Sequence, residues 1–188
     1  MRKQAITLGR VGILLPIAVI IPMLGSLAGL AALVLLLISH YNFSKVYEKP
    51  EIFKKSLTGT IIIVVGNIVG GALLGAAIFS GASQGNMQEF EIQNLTSLIF
   101  ESGLTIVGFI VMLAAAIVGF YFLFQALKVL AAETGVNYFR TAGMLYFIGA
   151  IASIILIGGL VVLIGWILHI IAYFTIQPEE GASEAQPQ

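Results

Sequence analysis

Apolar residues in this chain fall into long, nearly unbroken runs, without the one-faced helical or alternating patterns of a water-soluble fold. The runs are Ile6–Met23, Ser26–Tyr41, Leu57–Phe79, Leu104–Leu130, Met144–Leu156 and Leu160–Ile176. A helix needs about 20 apolar residues to cross the hydrocarbon of a bilayer. Backbone amides there have no water to bond, so each run is predicted to close its own hydrogen bonds as a helix. Two run boundaries are soft. The stretch from Val11 to Ser39 is too long for one ordinary crossing and is interrupted by Pro22-Met-Leu-Gly-Ser; that from Gly143 to Ile176 carries Gly158-Gly159 near its middle. Proline and glycine mark turns, so each stretch is read as a tight helical hairpin. The pattern predicts an all-α, polytopic transmembrane bundle with six crossings; four crossings with two very long, tilted helices is the competing count. Residues 1–176 are expected to form one integral membrane domain, and 177–188, without a large apolar residue after Ile176, a disordered cytoplasmic tail.

Charge separates the two counts. All nine Lys and Arg (Arg2, Lys3, Arg10, Lys45, Lys49, Lys54, Lys55, Lys128 and Arg140) fall on one side of a six-crossing chain, in segments 1–10, 40–56 and 127–142. The opposite segments hold Glu89, Glu91 and Glu101 and no basic residue. Basic residues accumulate on the cytoplasmic side, so both termini are expected there. Four crossings with the same middle helices would put Arg2, Lys3 and Arg10 outside. Hydrophobicity continues through Ile38 with no polar region after a cleavage site, so the N-terminal segment is expected to stay as a helix and not to be removed as a signal peptide.

Composition narrows the chemistry. The chain is 188 residues long and 59% hydrophobic with only 10% charged residues, against roughly 25% in soluble domains, and its mean hydropathy is +1.05. Cysteine and aspartate are absent, which removes disulfides, thiolate chemistry and every aspartate-based constellation. Nine basic residues balance nine acidic ones, and no basic stripe points to nucleic acid.

The polar connectors have local explanations. Pro50 suits the first turn of a helix, and Glu51 there complements the helix dipole. In AAETGVNYFRTAG (131–143), Gly135 is placed to end one helix in a left-handed cap and Asn137 to cap the next. Phe53, Tyr138 and Phe139 suit an interfacial belt, with Lys54, Lys55 and Arg140 reaching lipid phosphate. Lys45-Val46-Tyr47 leading to Ile52-Phe53-Lys54-Lys55, and Lys128-Val129-Leu130 leading to Tyr138-Phe139-Arg140-Thr141, share one order: helix, charged connector, aromatic, basic residue, helix. Such a weak internal repeat is read either as duplication or as two hairpins shaped by one membrane.

YNFSKVYEKPEIFKKSLTG, LKVLAAETGVNYFRTAGMLYFIGAI and the closing GWILHIIAYFTI resemble an uncharacterised archaeal and bacterial membrane family, domain of unknown function 996. The resemblance extends over nearly the whole chain, short of the tail after Pro178. It implies an integral membrane protein and brings no catalytic residue, cofactor or activity.

Candidate functional residues are few. Gly66 and Gly70, then Gly71 and Gly75, give two successive small-xxx-small patterns on the third helix, and Gly25 with Gly29 another on the second. This spacing lets helix backbones approach closely, inside one bundle or between copies. Packing within the bundle is the preferred reading. Asn67, deep in the third helix, needs a hydrogen-bond partner, for which Ser153, Thr105 or a backbone carbonyl is available; it is a candidate solute or interhelical contact. His169 in the last helix is a second such candidate, and His40 lies near the cytoplasmic end of the second helix. Two imidazoles without Cys or Asp make a poor metal site, so neither metal nor cofactor is expected. The longest polar stretch, 80–102, contains a helix-start signal at Asn86–Glu89 and a glycosylation sequon at Asn94.

Acidic and basic residues lie only toward helix ends and are absent from the helix interiors, where ion-coupled transporters carry their coupling groups. Together with the missing triad acid, this makes an enzyme unexpected. The expectation is a non-catalytic assembly, helper or scaffold module contacting the lipid bilayer and other membrane proteins or itself. The alternative is a small channel or carrier for an uncharged or weakly polar solute, built around Asn67.

Overall fold

A computed structural model describes residues 1–20, 25–84, 103–155 and 157–177. Pro22, the stretch 85–102 with its capping and sequon signals, and the tail from 178 lie outside the described residues. The rest forms six α-helices: α1 Arg2–Leu14, α2 Gly25–Val46, α3 Pro50–Gln84, α4 Gly103–Thr134, α5 Tyr138–Ala152 and α6 Gly158–Thr175, with no strand among the described residues. Five of them, α2 to α6, are long and apolar enough to cross a membrane. The exception, α1, has 13 residues and continues as a 3-10 segment, Leu15–Ile20. Pro16 has no N–H to continue the α-helical ladder. The Ile13 carbonyl near this change of winding accepts a hydrogen bond from Trp166 Nε1 of α6 at 3.1 Å.

The helices pack as antiparallel neighbours: α1 on α2, α3 on α4 and α5 on α6, with α4 also packed on α5 and α2 more lightly on α3. The two soft boundaries are therefore hairpins, and four long helices do not describe the chain. At the second, α5 gives way to a 3-10 turn, Ser153–Ile155, and a Cβ on Gly158 would collide with the Gly149 carbonyl and with Ser153. Only hydrogen fits where these backbones cross.

The core gathers at one end of the bundle. Ile6 from α1, Phe43 from α2, Ile52 from α3, Leu127 and Leu130 from α4, Phe139 from α5 and Tyr173 from α6 all belong to one buried cluster. Every helix contributes, so the start of α1, both polar connectors and the end of α6 share that end. Lys49 of the first connector meets Glu133 beside the second at 3.6 Å. Arg10 donates from Nε to the Tyr173 carbonyl (3.0 Å) and from Nη2 to the Ile176 carbonyl (3.1 Å), bonding acceptors that the end of α6 leaves open. The N-terminal helix is thus fastened to the C-terminal one at the basic end of the molecule.

The connectors follow the local rules except at Asn137. Pro50 opens α3 with Glu51 in its first turn, and Gly135 takes φ +72° after α4. Asn137 precedes α5 in a helical conformation without a side-chain cap bond. The hydroxyl that serves this turn belongs to Thr134, which donates to the Leu130 carbonyl (2.7 Å) and accepts from the Val136 N–H (3.3 Å).

Candidate functional site

Buried polar side chains concentrate in the core at the basic end. Ser39 and His40 sit side by side on α2, and because consecutive residues on a helix project about 100° apart, they reach different neighbours. Ser39 Oγ donates to the Ala5 carbonyl of α1 at 2.8 Å and shares a 3.2 Å hydrogen bond with the Tyr173 hydroxyl of α6. His40 Nδ1 shares a 2.6 Å bond with Ser56 Oγ of α3. On the far side, His169 Nδ1 of α6 shares a 3.2 Å bond with the Tyr146 hydroxyl of α5. The His169 ring stacks on Tyr173 (5.3 Å, 22°) and meets Phe139 edge-on. Four short hydrogen bonds therefore join five helices, α4 completing the wall with Leu127 and Leu130.

Both imidazoles are shut off from the surface, His40 at 2% and His169 at 3% exposure. Each uses one nitrogen on a neutral hydroxyl and leaves Nε2 without a hydrogen-bond partner among the described residues. No group of three or more His, Cys, Asp or Glu suited to a metal ion occurs among the described residues. Hydroxyls and imidazoles bonded between helices hold neighbours together, and the cluster's evident work is to set how the hairpins meet. Sequence reasoning singled out the two histidines but missed Ser39, Ser56, Tyr146 and Tyr173. The spacing of Tyr173 four residues after His169, on one helix face, was an available signal. Nothing local to Ser56 marks it as the partner of His40.

Asn67 is elsewhere. It lies on the outer surface of α3, and its Nδ2 donates to the Ile63 carbonyl one turn earlier at 2.8 Å. A backbone carbonyl is indeed its partner, but one of its own helix; neither Ser153 nor Thr105 is bonded to it. The expected interhelical bond within the chain is not formed, because Asn67 follows Gly66, and it is Gly66 that faces α4.

The glycines of α3 divide by face. A Cβ on Gly66 would collide with the Ala115 side chain, one on Gly70 would lie 2.7 Å from the Gly108 carbonyl, and one on Gly59 would lie 2.5 Å from the Gly119 carbonyl. Gly59, Gly66 and Gly70 thus form a seam in which α3 and α4 touch backbone to backbone. Gly71 and Gly75, exposed on another face, have nothing within 4 Å of an added Cβ. The same openness holds at Gly29 of α2. Gly25 opens α2.

Helices of this length and apolarity, closed on one another with lipid-length outer surfaces, define a polytopic helical membrane protein. Within that class the chain belongs to the family described as Protein of unknown function (DUF996), whose model matches residues 28–167. It is also 29% identical to an uncharacterized protein of Methanocaldococcus jannaschii over 187 residues, 97% of this chain and 96% of that one. No solved structure matches it significantly.

Proposed function

We propose that this protein is a non-catalytic assembly or helper module of the membrane that docks on another transmembrane helix through the outer face of α3. The observation that carries this reading is the division of one helix into two glycine faces. Gly59, Gly66 and Gly70 are filled by α4, whereas Asn67, Gly71 and Gly75, at four-residue intervals, lie open on a different face. Small residues at this spacing let a second backbone come close, and an amide among them supplies a hydrogen bond where hydrocarbon offers none. The Asn67 amide faces outward, away from the bundle interior where a solute pathway would run, which favours docking over transport.

The test is co-purification. Wild-type protein and the Gly71→Leu/Gly75→Leu variant are isolated from native membranes in mild detergent, and bound proteins are quantified. Loss of a specific partner, self-association included, with the melting temperature unchanged is the expected result. Identical partner sets, or a solute flux in proteoliposomes that Asn67→Leu abolishes, would overturn the reading.

A further inference from the structure

Four lysines lie close together on α2, the first connector and α3, and they do not have equal roles. Lys55 Nζ reaches Glu51 Oε2 at 2.7 Å and Lys49 Nζ reaches Glu133 Oε1 at 3.6 Å. Lys45 and Lys54 have no carboxylate partner among the described residues, and both are exposed. Lys45 lies against an aromatic pair that bridges α2 and α3, and Lys54 follows one member of that pair in the sequence. The Tyr41 ring meets the Phe53 ring edge-on at 5.2 Å. Lys45, one turn beyond Tyr41, holds its Nζ 5.3 Å from the Tyr41 ring centroid, and Lys54 directly follows Phe53. Toward the middle of the bundle on the same two helices stand Ile38 and Ile61, 41% and 51% exposed.

We infer that the outer surface of the α2–α3 junction is a headgroup site for an anionic phospholipid. Lys45 and Lys54 donate to the phosphate, and Tyr41 and Phe53 lie at the level of the glycerol, where amphipathic rings favour the interface. The acyl chains run along Ile38 and Ile61. Charge complementarity fixes the sign of the ligand, because Lys45, Lys49, Lys54 and Lys55 outnumber Glu48, Glu51 and Glu133, and the last two are already engaged by Lys55 and Lys49. The apolar surface continuous with the aromatic pair makes the ligand a lipid, since a free phosphate ion would leave that surface unused. Each lysine near the surface is worth about fivefold in affinity for anionic lipid, so the pair is worth about 25-fold.

The full chain is purified in detergent, and retention of phosphatidylglycerol and of phosphatidylcholine is compared by native mass spectrometry. Wild type should retain phosphatidylglycerol in about 10- to 25-fold preference. Lys45→Gln/Lys54→Gln should bring the two lipids near parity and Lys45→Arg/Lys54→Arg should restore the preference. Lys128→Gln/Arg140→Gln, which removes equal charge elsewhere at the basic end, should leave it within about twofold. Millimolar inorganic phosphate should not compete. Equal losses in the two glutamine variants, displacement by phosphate, or no preference in the wild type would each overturn the site.

Discussion

Among the described residues, Glu48 is the one whose backbone sits worst with its side chain. It takes φ 55° just after α2, while the Lys49 N–H reaches back to the Ser44 carbonyl at 3.0 Å, the closing bond of a left-handed helix cap. Glycine occupies such a position without strain, and other residues pay about 1–2 kcal/mol. Glu48→Gly should therefore raise unfolding stability in detergent by about 0.5–1 kcal/mol, after the loss from a freer unfolded chain. Gly135 is the mirror case. It has φ +72° and open space around it, so Gly135→Val should lower stability by about 1–2 kcal/mol through backbone strain alone. Ser39 acts by another route, joining α1, α2 and α6 with one hydroxyl. Ser39→Ala leaves the buried Tyr173 hydroxyl without that partner and should cost about 1–2 kcal/mol, read as an earlier thermal transition. The left-handed cap at Gly135 was legible because glycine announces it. The equivalent cap at Glu48 was not, since glutamate carries no such signal and only the connector's geometry forces it there.

Among the elements, α3 and α4 stand apart. They run 35 and 32 residues, about 50 Å at 1.5 Å per residue, which exceeds the hydrocarbon thickness of about 30 Å and requires tilt or projection beyond it. Without a hydrophobic drive between helices in lipid, their long contact depends on backbone approach. Gly70→Val would put a methyl group against the Gly108 carbonyl and force the helices apart, costing about 1–3 kcal/mol. Gly71→Val, one residue on, meets nothing and should leave the melting temperature of the isolated chain unchanged. Measuring both in one detergent checks the assignment of faces. The small-residue spacing was plain in the sequence, but the two overlapping patterns offered two faces with no way to choose between them. The choice depends on which residues of α4 stand opposite, namely Ala115, Met112 and Gly108. Asn67 was misplaced for the same reason: its depth in the helix was readable and its azimuth was not.

At the scale of the whole molecule, the runs of apolar residues carried nearly all of the fold, because hydrocarbon permits few ways of satisfying a backbone. They could not show that α1 would be short or that five helices would meet around Ser39, His40 and His169, since those contacts join different helices and one of them, Ser39 to Tyr173, spans 134 positions. The basic residues share one end of the bundle with the start of α1 and the end of α6, and that end is expected to be cytoplasmic. Single cysteines at Gly103 and at Asn137, in a chain with none of its own, check this: an impermeant thiol reagent on intact cells should label the first and spare the second. The central claim is that the stretch of α3 around Asn67, Gly71 and Gly75 meets protein, whereas the outer surface of α6 meets lipid. Ile68, beside Asn67 on α3, and Leu160, on α6, are exposed to the same degree, 65% and 67%, so they form a matched pair. With a photo-crosslinking amino acid at each position in turn, irradiation of native membranes should give a discrete protein adduct from position 68 and lipid adducts alone from position 160. Lipid adducts alone from both positions would contradict the account.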